Sequence, residues 1–115
     1  MEPLHLYRHL GEETRLRILL LLAAESELCV CELTEALHAG QPKISRHLAL
    51  LREAGLLDDQ RRGRWIFYRL AGSLDSWARE VIELTRKQAP SPHLQDLARL
   101  ARMGNRPERM QCCAG

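Results

Sequence analysis

Apolar residues recur at helical spacing along most of the chain. Leu6 and Leu10 lie four apart within the short amphipathic stretch Leu4–Leu10, and Leu16, Leu19, Leu20 and Ala23 mark a strongly apolar helix over Glu12–Ala24. Acidic residues in the first turn of that helix suit its dipole. Ser26 is a plausible N-cap for the next helix, which runs to about His38 with Val30, Leu33 and Leu37 on one face. Ala39-Gly40 breaks the pattern, and Gly40 fits the position after a helix that tolerates left-handed geometry. Gln41-Pro42 then opens a further helix with proline in its first turn, a stripe of Ile44, Leu48 and Leu51, and an end at Ala54-Gly55. Helix, tight glycine turn, helix is the helix-turn-helix arrangement, whose second helix enters the DNA major groove.

After Gly55 the period changes. Leu56–Gln60 and Trp65–Leu70 read as two strands joined around Gly63, the second alternating Trp65, Phe67 and Arg69 with Ile66, Tyr68 and Leu70. An arginine-rich hairpin of this kind is a wing. Helical spacing returns over Leu74–Lys87, with Trp77, Val81 and Leu84 as the stripe, and breaks at Ala89-Pro90-Ser91-Pro92. Ser91 as N-cap starts one more short helix with Leu94, Leu97 and Ala101 on one face, ending near Met103. The fold class expected is mainly α with a β-hairpin: a dimeric winged helix-turn-helix. Residues 1–90 form the DNA-binding and dimerisation domain, and 91–115 a C-terminal helix and flexible tail.

Composition sharpens this picture. For a chain of 115 residues one small domain is expected, with no separate catalytic one, and a modest core of this size is often completed by dimerising. With Glu2, Pro3, His5 and Arg8 near its start, the stretch Met1–Leu10 is not expected to be a secretory signal peptide. The apolar run Ile18–Ala24 is too short to span a bilayer, so a cytoplasmic protein without membrane association is expected. The net charge of +2 is unevenly spread: residues 41–69 carry seven basic side chains against three acidic, whereas residues 1–40 carry three against seven. A basic block between less basic flanks is the footprint of a polyanion-binding surface.

On the second helix of the motif, Gln41, Lys43, Ser45, Arg46 and His47 lie off the apolar stripe and near the N-terminus, where side chains can reach base edges. Glutamine suits adenine and arginine or lysine suits guanine; Arg61, Arg62 and Arg64 of the wing suit phosphates or a narrow minor groove. Several runs together resemble the ArsR/SmtB family of metal-responsive repressors. They are Glu27-Leu28-Cys29-Val30-Cys31-Glu32-Leu33, Ser45-Arg46-His47-Leu48, Leu50-Leu51-Arg52-Glu53-Ala54-Gly55-Leu56 and Arg61–Leu70. The likeness covers about residues 4–87. It implies a homodimer, joined by the N-terminal and post-wing helices, that sits on palindromic double-stranded operator DNA and leaves it when metal binds.

Within that family the pair Cys29 and Cys31 resembles the Cys-Val-Cys of the arsenite repressors. The resemblance implies As(III) as inducer rather than a resident cofactor, with Sb(III) or methylarsenite as related ligands, and soft thiolates do select soft ions. Residues two apart on a helix point to different sides, so ligation by both is expected to distort the first helical turn. The arsenite pattern usually carries a third cysteine where this chain has Thr34, a poor ligand for a soft metalloid. The third ligand is therefore water, chloride or an organic substituent, or else a sulfur from Cys112 or Cys113, a close dithiol that could also form a separate site. The zinc pattern of the family needs histidine on the helix after the wing, and none occurs between Leu74 and Lys87. His5 and His9 have ligand spacing but read more simply as solvated side chains. Two alternatives remain: a repressor whose thiols sense oxidants, and a small thiol metallochaperone or exchange enzyme. The second leaves the reader helix and the wing unexplained.

Overall fold

The computed structural model describes residues 1–103. Its elements are α1 (Pro3–Leu10), α2 (Glu13–Glu25), β1 (Leu28–Cys29), α3 (Val30–Leu37), α4 (Gln41–Glu53), β2 (Leu57–Arg62), β3 (Trp65–Leu70), α5 (Ser76–Lys87) and α6 (Ser91–Ala101). The fold is a winged helix-turn-helix, with α3 and α4 as the motif and β2–β3 as the wing. Among the described residues, no helix is long and apolar enough to cross a membrane.

α2 is the hub. It touches α1, α3, α4, α5, α6 and β3, so Ile18, Leu19, Leu20, Leu21 and Leu22 are all at most 1% exposed. A helix surrounded on all sides is apolar all round. The expected one-faced stripe was therefore incomplete: it lacked Ile18, Leu21 and Leu22 and included the part-buried Leu16 and Ala23.

The turn from α2 to α3 differs from expectation. Ser26 does not cap α3; it closes α2 with a positive φ of 74°. The chain then runs extended as β1, in which Leu28 pairs with Tyr68 and Cys29 with Phe67. Cys29 is the N-cap of α3. Two residues carry too little periodic signal to be read as a strand, and this one exists only because β3 lies beside it. The left-handed residue after α3 is His38 (φ 53°), while Gly40 has an ordinary φ of −69° and serves as the N-cap of α4.

The sheet order is β1-β3-β2, all antiparallel. Pairing in the hairpin extends from Leu57↔Leu70 to Arg62↔Trp65, two residues further than the sequence suggested, and leaves only Gly63-Arg64 as the loop. Gly63 has φ 66° and Arg64 does not share it, the pattern of a type II′ turn with glycine first.

Two later helices turn different faces inward from those expected. α5 buries Ala78 and Ile82, leaving Trp77 and Val81 half-buried and Leu84 62% exposed. α6 is capped at Pro90 rather than Ser91, and turns His93, Asp96 and Leu100 inward while Leu94 is 50% exposed.

Candidate DNA-reading surface and cysteine turn

α4 is held by Ile44, Leu48 and Leu51, each fully buried, and leaves Gln41, Lys43 and Arg46 exposed. Ser45 is half-buried and its Oγ accepts from Gln41 Nε2 at 2.9 Å. His47 departs from the sequence reading: it is buried, with Nδ1 3.3 Å from Arg15 Nη1 and 3.8 Å from the Glu12 carboxylate. Ile44, His47, Leu48 and Leu51 are spaced i, i+3, i+4 and i+7, so His47 lies on the inward face. Its ring secures the reader helix to the start of α2 and does not share the outer face with Lys43 and Arg46.

The same burial gives a pH response. Desolvation holds His47 below its ordinary value of 6.5, Glu12 opposing this and Arg15, Arg46 and Lys43 reinforcing it. Burial also lowers His9, aided by Arg15 and His5, and lowers His93 despite the nearby Asp96. A histidine with a depressed folded pKa binds its proton more readily in the unfolded chain. Its cost to stability is absent above about pH 6.5 and grows as the pH falls below that value. The melting temperature is therefore expected to fall between pH 7.5 and pH 5.5, and His93→Gln should flatten the curve. A melting temperature constant over that interval contradicts this.

On the wing, Arg61, Arg62 and Arg64 are all exposed, yet each is already positioned. Arg61 Nε donates to the Gly63 carbonyl at 3.0 Å, and the Arg64 guanidinium lies 5.5 Å from the Trp65 ring centroid. Arg62 donates twice to Glu27, at 2.7 and 2.8 Å, and its guanidinium stands 4.5 Å from the Phe67 ring centroid. Arg52 of α4 donates to Asp59 at 3.1 Å, joining the reader helix to the base of the wing.

Cys29 and Cys31 lie where this wing meets the reader motif. Cys29 is 1% exposed and Cys31 half-buried. The Cys29 amide donates to Glu32 Oε1 at 3.0 Å, and Glu32 is itself fully buried. The expected distortion of a helical turn carrying both cysteines does not apply, because Cys29 is extended, with φ −90° and ψ 168°, and only Cys31 lies within α3. Thr34 donates its hydroxyl to the Cys31 carbonyl at 2.8 Å, so that group is engaged inside α3. Both cysteines are in disulfide form in this structure, whereas the sequence led to an expectation of thiols. Reduced, they supply two soft donors and fit part of a thiolate site. Cys112 and Cys113 lie outside the described residues. Among those described, no group of three or more His, Cys, Asp or Glu is arranged to hold a metal ion.

Sequence reasoning missed the ionic cluster at the other end of α3. Asp96 is fully buried and receives Arg17 through Nε at 2.9 Å and Nη2 at 2.7 Å, and Arg99 through Nη2 at 2.8 Å. The same two arginines donate to the last carbonyls of α3, Arg17 to Leu37 at 3.1 Å and Arg99 to Ala36 at 2.7 Å. The only sequence signal is an aspartate at the i−3 position from an arginine.

Comparison with known proteins bears on this architecture. The family model described as bacterial regulatory protein, arsR family, matches residues 12–59, from the start of α2 into the wing. The arsenic resistance transcriptional regulator ArsR2 of Pseudomonas putida is 50% identical over 112 residues, covering 96% of both chains. The chain belongs to the arsR family. The arsenical resistance operon repressor of Escherichia coli, a fellow member, is 54% identical over 81 residues, covering 70% of this chain and 69% of that one. Among solved structures, the AntR antimony-specific transcriptional repressor superposes with a TM-score of 0.63 at 31% identity, covering 73% of each chain. As an arsR-family member the chain is a DNA-binding transcriptional regulator and not an enzyme.

Proposed function

We propose that this chain represses an arsenic-resistance operon and leaves its operator when As(III), or the related Sb(III) or methylarsenite, is bound by the thiolates of Cys29 and Cys31. One observation carries the reading: Cys29 is at once the N-cap of α3 and the β-partner of Phe67 in the wing. A change at that residue bears on both DNA-contacting parts. The relatives named for arsenic resistance and the antimony-specific repressor of like fold support the ligand class.

Gln41, Lys43, Ser45 and Arg46, with Arg61 and Arg64, form the DNA-facing set; Arg62 joins it once released from Glu27. The exposed Leu4 and Tyr7 of α1 and Leu84 of α5 offer apolar surface for a second copy. A homodimer of this kind matches a palindromic operator in the cytoplasm. Cys112 or Cys113 supplies the third sulfur that Thr34 does not.

The test is operator binding, read by fluorescence anisotropy in the presence of reductant. Arsenite should weaken wild-type binding by about 5- to 150-fold, the usual span of allosteric coupling. Cys29→Ser and Cys31→Ser should lose that response, and Cys112→Ser/Cys113→Ser should blunt it. A normal response from the first two variants overturns the reading. The disulfide form of Cys29 and Cys31 favours a second reading, in which oxidation itself relieves repression. Release by peroxide but not by arsenite selects it.

A further inference from the structure

We infer that Glu27 is the positioning residue through which the state of the cysteine turn reaches the wing, by holding Arg62 in a clasp that DNA phosphate can compete for. The inference rests on the proposed sensing role of Cys29 and Cys31 and goes beyond it by naming the route.

Glu27 stands two residues before Cys29, immediately ahead of β1. Its two carboxylate oxygens each receive one Arg62 nitrogen, at 2.7 and 2.8 Å, in the bidentate geometry that arginine forms equally well with phosphate. Gln60 accepts a further bond from Arg62 at 3.0 Å, and the Phe67 ring supports the guanidinium. Phe67 is the residue that pairs with Cys29 across β1 and β3. Arg62 in turn pairs with Trp65 beside the hairpin loop. A short route thus runs from the cysteine turn to the wing tip: Cys29 to Phe67 by the strand pairing, Glu27 to Arg62 by charge, and Phe67 to Arg62 by stacking.

Arg62 cannot give its full fork to a carboxylate and to a phosphate together. Tightening of the turn around Cys29 that favours the Glu27 clasp withdraws one cation from the DNA. Loosening of the clasp returns it. Both partners are surface-accessible, with side chains 27% and 43% exposed, so the exchange requires no unpacking of the core.

The experiment measures operator affinity with and without arsenite, in reductant, for wild type, Glu27→Gln, Arg62→Gln and the double variant. Arsenite binding to each protein is followed in parallel by calorimetry. Glu27→Gln should keep wild-type arsenite binding, bind the operator more tightly without inducer, and lose at least about fivefold of the arsenite-induced weakening. Arg62→Gln should lose the same coupling, and the double variant no more than either alone. Glu27→Asp, with the charge kept and the reach shortened, should fall between. In the protein without DNA, arsenite should shift the Trp65 indole resonance in wild type and not in Glu27→Gln.

Wild-type coupling in Glu27→Gln, with the Trp65 shift retained, overturns the clasp while leaving the cysteine reading standing. An arsenite response that survives Cys29→Ser and Cys31→Ser overturns the cysteine reading, and the route with it.

Discussion

Asp96→Asn is expected to lower the free energy of unfolding by about 3–5 kcal/mol, the usual cost of removing one partner from a buried ionic cluster. The reason is geometric. Asp96 is fully buried and faces two guanidinium groups whose side chains are only 18% and 26% exposed. Its carboxylate holds Arg17 above its ordinary pKa by direct hydrogen bonding, although burial opposes this. Asparagine keeps the shape and one acceptor but leaves two positive charges adjacent with no counter-charge between them. The loss extends beyond the cluster, because Arg17 and Arg99 also satisfy the Leu37 and Ala36 carbonyls at the end of α3. Urea denaturation at pH 7.5 measures the effect, and a melting temperature lower by more than about 10 °C should accompany it. A loss within 0.5 kcal/mol or so, the range of ordinary surface substitutions, rules the clamp out. Arg17→Gln in the Asp96→Asn background should then cost less than in wild type, since it removes one of the stranded charges.

The second large effect concerns the operator. Lys43→Ala/Arg46→Ala is expected to weaken binding by on the order of 100-fold, since each well-placed base contact contributes about 1–3 kcal/mol. Both side chains are exposed on the outer face of α4, away from Ile44, Leu48 and Leu51, so the thermal midpoint should change little. Salt titration separates their roles. If either cation meets a phosphate, the slope of log affinity against log salt flattens by about 0.9 for each phosphate no longer neutralised. An unchanged slope with altered sequence preference assigns both to bases. Full affinity in the double variant removes α4 as the reader. His47→Ala is the informative contrast, since that ring is packed against Arg15 and its removal should lower stability.

Much of this protein was legible in the residue pattern. α4 was bounded correctly because a proline in its first turn and Ala54-Gly55 at its end punctuate a clear stripe. β3 was bounded correctly at Trp65–Leu70, a run of aromatic and β-branched residues, although its burial does not alternate and Phe67 and Tyr68 are both buried. The basic block was legible because charge needs no geometry to be counted. What failed were features that depend on a neighbour. Ser26 looks like the N-cap of α3 and instead closes α2, because β3 draws Leu28-Cys29 into a sheet and moves the start of α3 forward to Val30. His47 looks polar and outward, but the inward spacing and the Arg15–Glu12 pair bring it into the core boundary.

The division has a physical basis. Sequence alone determines what is local: helix periods, turn chemistry, the segregation of charge, and the soft chemistry of two nearby cysteines. These are properties of the chain within a few residues. Tertiary structure decided everything that joins segments far apart: Asp96 to Arg17, Arg62 to Glu27, and Cys29 to Phe67. Each is a pairing whose strength depends on desolvation or strand alignment, and neither exists until the chain folds. The cysteines were visible from the start; that one of them is stitched to the wing was decided only by the fold.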